Sequence, residues 1–208
     1  MLLDDNVNSH IVSLLAYWYS RQTVCVRWHA CKSAYFAIGN GTRQGGVLSP
    51  VLFARYVRGL LIELSNNRNG CNVAGCMINV LAYADDIVLC APSWRGLQQL
   101  IDLLVIEIAN IDMICNVRKT VCMTFLPRMR DRIISRTFPC FQLDGTPLTF
   151  VNDFKYLGHQ ISCDLSDDLD IRREIRNMFL RTNILIRKFA KCSMEVKLLL
   201  FRTYCLFV

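Results

Sequence analysis

Apolar and polar positions along the chain alternate between helical and extended patterns. Asn8 precedes Ile11, Leu14, Leu15 and Trp18, which follow the i, i+3, i+4, i+7 spacing of one helix face, and its side chain suits an N-cap. Residues 23–28 and 34–38 read as extended runs joined by a polar turn over 29–33, a hairpin. A glycine-rich loop over 39–46 feeds Ser49 as a cap and Pro50 at the first helical position, opening a helix that carries Val51, Leu52, Tyr56, Val57, Leu60, Leu61 and Leu64. Residues 77–90 form a nearly continuous apolar run broken only by Asp85 and Asp86, the pattern of two buried strands joined by a tight polar turn.

A further helix is expected from Ser93, with a stripe at Leu97, Leu100, Ile101, Leu104, Val105 and Ile108. Residues 117–125 return to strand. A looser segment with Pro127, Pro139 and Pro147 leads to an extended stretch over 154–161. From Asp167 the pattern is helical, with Ile171, Ile175, Met178, Phe179, Leu185 and Phe189 on one side and Arg172, Arg173, Arg176, Arg187 and Lys188 mostly elsewhere. The last residues, Cys205, Leu206, Phe207 and Val208, fall in the middle of an apolar pattern, and no internal repeat is visible.

Composition narrows the class. At 208 residues, with 53% hydrophobic and 20% charged residues and no low-complexity tract, the chain has material for one good-sized core with a smaller helical appendage, which excludes disorder as its default. Charge interrupts every apolar stretch before the ~18 residues a membrane span needs, so no transmembrane helix is expected. The beginning of the chain is acidic where a secretory signal is basic. The expected location is therefore intracellular, nuclear or cytoplasmic or both, and not secreted. Eleven cysteines without a CxxC pair read as buried thiols in a reducing compartment rather than as zinc ligands or disulfides. The net charge of +7 resides wholly in residues 113–208, which hold sixteen Lys and Arg against nine Asp and Glu. That basic half fits a polyanion partner or a solvated helix face.

Asp85 and Asp86 carry the strongest chemical signal. Adjacent carboxylates beside apolar strands repel one another unless something compensates them. Two readings follow: an Asp-Asp turn exposed at a hairpin tip, which is common, or a site for hard divalent cations. Mg²⁺ is typically held by one or two carboxylates together with substrate phosphates. Two such ions about 3.5–4 Å apart activate an attacking 3′-hydroxyl and stabilise departing pyrophosphate.

Tyr83-Ala84-Asp85-Asp86 resembles the YxDD hairpin of reverse transcriptases, and the chain looks most like the enzymes of non-LTR (LINE-type) retrotransposons, with group II intron maturases as close relatives. Further motifs follow in the family's order. Arg43-Gln44-Gly45-Gly46, after Thr42 and before Val47-Leu48-Ser49-Pro50, is similar to the RQG…LSP loop that lies under nucleotide and template. Glycines there let backbone approach a base or sugar, and Gln44 both donates and accepts. Gly39, Gly41 and Gly45 have the spacing GxGxxxG with no βαβ unit around them, so a dinucleotide fingerprint is excluded. Asn116 with Lys119 and Thr120 looks like motif D, whose lysine is implicated as proton donor to pyrophosphate, although a surface lysine at a strand start is an equal reading. Phe154-Lys155-Tyr156-Leu157-Gly158 resembles the FxYLG primer grip.

The resemblance implies an α/β (α+β) fold: a polymerase palm with a small antiparallel sheet backed by helices over 1–165, and the start of a helical thumb over 166–208. It implies RNA-directed DNA synthesis with two Mg²⁺ ions, Mn²⁺ being a substitute, held by Asp85 and Asp86. Lys119 would be the catalytic proton donor. Arg43, Gln44, Gly45, Gly46 and Tyr83 would bind nucleotide and template, and Tyr156, Leu157 and Gly158 would grip the primer. The implied partners are an RNA template, a DNA primer, dNTPs, and an upstream fingers and palm segment of the same protein. That segment would carry the third carboxylate, expected to precede Met1, and its absence would leave this chain alone inactive. Two rivals remain: a non-catalytic retroelement remnant that binds nucleic acid through its basic C-terminal helices, and a different palm-type nucleotidyl transferase such as a nucleotide cyclase, which lacks the RQG and YLG partners.

Overall fold

The computed structural model describes residues 2–39, 41, 43–125 and 138–206. Thr42, Pro127, Phe207 and Val208, named above, lie outside them, as do Met1 and Asn40. The chain divides into two compact units, Met1–Cys115 and Asn116–Val208. The expected boundary between residues 165 and 166 therefore lies inside the second unit.

The first unit opens with α1 (Ser9–Ser20), capped as expected by the Asn8 side chain, which accepts the His10 N–H at 2.9 Å. Its predicted stripe is not buried: Leu15 is half-covered, while Ile11, Leu14 and Trp18 are exposed. The N-terminal segment is tied instead by charge, because Asp5 Oδ1 lies 2.8 Å from an Arg55 nitrogen and 3.0 Å from one of Arg58. The expected hairpin forms as two short ladders. β1 (Thr23–Val24) pairs β4 (Phe36–Ala37), and β2 (Arg27–Trp28) pairs β3 (Cys31–Lys32). Between them Ser33 Oγ takes the Val26 N–H at 2.9 Å, a side chain standing in for a ladder carbonyl.

The helix expected from Ser49 is two helices, α2 (Ser49–Tyr56) and α3 (Arg58–Asn66), which part at Val57. They are followed by the pair β5 (Cys71–Val73) and β6 (Cys76–Ile78), the pair β7 (Val80–Tyr83) and β8 (Asp86–Leu89), and α4 (Trp94–Asn110). Helix α4 matches expectation closely. Ser93 caps it by accepting the Gly96 N–H at 3.2 Å, and Leu100, Ile101, Leu104 and Ile108 are buried. Leu60 and Leu64 of α3 join Leu100, Leu104 and Ile108 in the core, with Val80, Ile87 and Leu89 packed against them. The two helices thus cover one face of the β7–β8 pair.

In the second unit residues 117–120 turn rather than extend, and β9 (Val121–Cys122) follows. The pair β10 (Gln142–Leu143) and β11 (Thr146–Pro147) precedes β12 (Thr149–Phe150), which runs parallel to β9. Phe141, Leu143 and Leu148 are buried here, with Phe150 rings 5.6 Å from Phe141 and 6.1 Å from Phe138. Then come β13 (Asp153–Tyr156), β14 (His159–Ser162), α5 (Asp168–Lys188) and α6 (Met194–Tyr204). Among the described residues, strands pair two by two, six pairs antiparallel and one parallel, which corrects the expectation of a single small antiparallel sheet. The mixed α/β class stands.

Helix α5 departs from its hydrophobic periodicity. Residues 170, 173, 174, 177, 178, 181, 182 and 185 form its more covered face, so the inner side begins with Asp170, Arg173 and Glu174. Ile171, Ile175 and Phe179, expected inside, are exposed. Asp170 accepts the Gln160 N–H of β14 and meets His159 Nδ1, and these directional bonds set the rotation of the helix, overriding its apolar stripe.

Candidate active site

The paired acids sit where the apolar run turns. Tyr83 is registered opposite Asp86, Ala84 and Asp85 form the turn, and Ala84 adopts φ 52°, a left-handed conformation that a non-glycine residue enters at a cost of about 1–2 kcal/mol. Such strain is typical of functional turns. Side chains alternate across a strand. Val80, Ala82, Ile87 and Leu89 share one face, and three of these pack on the helical core. Leu81, Tyr83, Asp86 and Val88 therefore occupy the opposite face. Tyr83 is 63% exposed, and both aspartates are exposed. The two strands are not buried on both sides as expected, because α3 and α4 cover only one.

The donor set fits a hard cation in part. Asp85 and Asp86 offer adjacent carboxylate oxygens at an exposed tip, where Mg²⁺ would keep much of its water. No group of three or more His, Cys, Asp or Glu able to hold a metal occurs among the described residues. Water and substrate phosphate are the usual further ligands of such an ion.

The glycine loop is built around one carbonyl. Arg43 O accepts the Gly46 N–H at 3.0 Å and the Ser49 hydroxyl at 2.6 Å. Gly45, at φ 78°, fills the turn position that requires a left-handed residue. A Cβ on Gly46 would stand 2.7 Å from Ser49 Oγ and 3.1 Å from Arg43 O, so only glycine closes this turn undisturbed. Ser49 is thus not the helix cap: Leu48 occupies that position without a side-chain bond, and the Ser49 hydroxyl, nearly buried, pins the loop. Arg43, Gln44 and Val47 face solvent.

Lys119 is exposed at the end of a turn whose Asn116 carbonyl accepts the N–H groups of Lys119 and Thr120 at 3.0 and 3.1 Å. It belongs to the second unit, as do Tyr156, Leu157 and Gly158. Tyr156 pairs with His159, and Leu157 (φ 47°) and Gly158 (φ 93°) make the two-residue turn between them. Both central residues are left-handed, as a type I′ hairpin demands, and Leu157 occupies a position where Asn or Asp is usual.

Sequence reasoning missed Asn79. Its side chain is 2% exposed, and Nδ2 lies 2.6 Å from Leu64 O, 2.8 Å from Asn67 O and 3.3 Å from Ser65 O. Its own carbonyl accepts the Cys90 N–H at 2.8 Å. One amide thus satisfies the open carbonyls at the end of α3 and fastens the base of the acidic hairpin to that helix. A polar residue between Ile78 and Val80 in an otherwise apolar run was the available signal.

Nearby thiols are suppressed as nucleophiles. Burial pushes the Cys90 and Cys115 thiols up, and in the second unit burial, with Cys140 nearby, pushes Cys122 up to about 11. All eleven cysteines are free, but only Cys122 and Cys205 are buried, so the expectation of buried thiols holds for few of them.

Residues 4–161, more than half of the chain, match the family model described as reverse transcriptase (RNA-dependent DNA polymerase). The chain belongs to the reverse transcriptase family. It is similar to the retrovirus-related Pol polyprotein from type-1 retrotransposable element R2 of Popillia japonica, with 29% identity over 176 residues, which are 75% of this chain and 26% of that relative. It is also similar to the Pol polyprotein from type-2 retrotransposable element R2DM of Drosophila melanogaster, 27% identical over 66% of this chain and 14% of the relative. A type-1 R2 polyprotein of Bradysia coprophila is 31% identical over 57% of this chain and 14% of the relative. The chain spans about a quarter or less of the length of these curated relatives. The resemblance to a partial reverse transcriptase of the non-LTR retrotransposon type, read from the motifs, is borne out. No helix among the described residues is long and apolar enough to cross a membrane.

Proposed function

We propose that this chain is part of an RNA-directed DNA polymerase of a non-LTR retrotransposon, which adds dNTPs to a DNA primer on an RNA template. One observation carries the reading: the family's paired acids stand at the strained, exposed tip of a hairpin that helices cover on one face only. Asp85 is the principal metal ligand and Asp86 assists it. Two bound Mg²⁺ ions, or Mn²⁺ in their place, would activate the primer 3′-hydroxyl and offset charge on the leaving pyrophosphate.

The chain's own residues orient the reactants. Gln44 and Gly45, on a loop pinned by Ser49, present backbone and amide to nucleotide and template, with Arg43 and Gly46 beside them. Tyr83 shares the open hairpin face with Asp86 and supports the same groups. Lys119 donates a proton to pyrophosphate, and Tyr156, Leu157 and Gly158 hold the primer end. In this reading residues 1–165 are palm and 166–208 the start of a thumb, and an upstream fingers and palm segment supplies the remaining carboxylate. Membership of the reverse transcriptase family favours the polymerase over a remnant that only binds nucleic acid.

The test is RNA-templated primer extension by a polypeptide that includes this chain and its upstream segment. Extension should require Mg²⁺ or Mn²⁺, and Asp85→Asn should lower its rate by about a thousandfold or more, the scale on which charge stabilisation at a reacting centre is lost. Extension that survives Asp85→Asn unchanged refutes the metal assignment.

A further inference from the structure

The turn formed by Leu157 and Gly158 does not hang free on its strands. Asp170, in the first turn of α5, accepts the Gln160 N–H at 2.8 Å and the Arg173 Nε–H at 2.8 Å through Oδ1, and its Oδ2 lies 2.9 Å from His159 Nδ1. In an antiparallel ladder every second residue turns its N–H outward, and Gln160 spends its outward donor on the helix. At the far end of β14, Ser162 Oγ lies 2.5 Å from Asp164 Oδ1 and 2.9 Å from Ser166 O, and Asp164 also accepts the Ser166 N–H at 3.0 Å. The strand is therefore held at both ends, by Asp170 on the helix and by the Asp164 to Ser166 loop that leads into it.

The attachment is ionic as well as directional. Arg173, which serves Asp170, is itself steered by Glu174, whose Oε1 lies 2.5 Å from an Arg173 guanidinium nitrogen. Charge-assisted bonds of this length fix orientation more tightly than apolar contact does. The same helix presents exposed Arg172, Arg176, Arg187 and Lys188, cations suited to phosphates.

We infer that Asp170 is a positioning residue that locks the Tyr156, Leu157 and Gly158 turn to the basic helix, so that a duplex held along the helix sets where the turn stands. The inference rests on the proposed reading of the turn as primer-holding and of α5 as duplex-holding. It adds that the two act as one body, and that a single carboxylate joins them.

The 208-residue chain suffices for the experiment, which follows backbone amide exchange and chemical shifts by NMR, with and without an RNA–DNA duplex. In Asp170→Ala the Gln160 amide should exchange at least about tenfold faster, while the amides of residues 177–184 keep their protection. On adding duplex, signals of residues 156–160 should shift in the native chain and stay still in Asp170→Ala, with duplex affinity changed by less than about threefold. A turn that still responds to duplex after the substitution overturns the inference, as does an unaltered Gln160 amide. Asp170→Asn, which keeps one acceptor oxygen, should give the same pattern more weakly. Global unfolding of this near-isosteric form would also overturn the claim, by making Asp170 a folding residue rather than a local lock. If no duplex binds the native chain, the duplex-holding reading of α5 fails, while the Gln160 exchange result still decides whether the lock exists.

Discussion

The β7–β8 and β13–β14 hairpins have the same strand lengths but different turns and different means of support. Each pairs four residues with four across a two-residue turn, and each turn forces a non-glycine residue into left-handed geometry, Ala84 in one and Leu157 in the other. The β7–β8 hairpin rests on an apolar core of Leu60, Leu64, Leu100, Leu104 and Ile108, with Asn79 as its polar fastener. The β13–β14 hairpin is tied to α5 by a polar lock: Asp170 accepts the Gln160 N–H, meets His159 Nδ1 and is itself held by Arg173. Apolar support is strong and indifferent to pH. A carboxylate lock is directional, open to one substitution, and dependent on ionisation. The difference matches the proposed duties: acids that must stay put, and a grip that must follow the helix.

The largest test of that contrast is a cavity. Leu100 is fully buried between α3, α4 and the acidic hairpin. Leu100→Ala should cost the first unit about 2–5 kcal/mol. Denaturant titration followed by amide exchange should show β7–β8 loosened and β13–β14 unchanged. Equal loosening of both would dissolve the contrast.

Acid should act the other way. Hydrogen bonds from Arg173, Gln160 and His159 hold the Asp170 carboxyl well below the usual carboxylate range, and bonds from Ser162 and Ser166 lower that of Asp164. A group whose folded pKa is depressed adds stability that is fully present above its unfolded pKa of about 3.9 and is lost as pH falls through the folded value. The lock should therefore be intact at pH 5, weaken only as pH falls below the ordinary carboxylate range, and be absent at the acid extreme. Exchange at the Gln160 amide, compared between the native chain and Asp170→Ala, should differ above pH 5 and converge at the lowest pH. Convergence already at pH 6 would show that Asp170 is not the holding group.

The smallest effect concerns thiols. At pH 8 an alkylating reagent should label exposed Cys31, Cys76 and Cys140 first. Cys122, buried and with its pKa pushed up to about 11, should react slowest, together with buried Cys205. Mass spectrometry of timed digests gives the order. Early labelling of Cys122 would mean that the β9–β12 pair opens readily.

Much of the acidic hairpin was legible because its signals are local. A capped helix with a clean stripe and an apolar run broken by acids each specify their own geometry, and α4, β7 and β8 formed accordingly, although the turn falls on Ala84 and Asp85 and leaves Asp86 as the first residue of β8. The glycine loop was legible as a turn, but Ser49 was misread, because its hydroxyl prefers the Arg43 carbonyl six residues back to the amide donors of its own helix. Nothing local announced the break at Val57. The rotation of α5 was illegible for a deeper reason. Periodicity measures where apolar side chains would go if burial decided, whereas here Asp170, steadied by Arg173 on the same helix, accepts the Gln160 N–H of β14 and turns that face inward. The helix α1 stripe likewise is largely exposed, with Ile11, Leu14 and Trp18 open and only Leu15 half-covered.

The proposed activity depends most on Asp85 and Asp86 holding a divalent cation. Mn²⁺ titrated into the 208-residue chain in the presence of a dNTP should selectively broaden the amide signals of residues 83–87, and Asp85→Asn should remove most of that broadening. Broadening centred on other carboxylates, with residues 83–87 untouched, would contradict it.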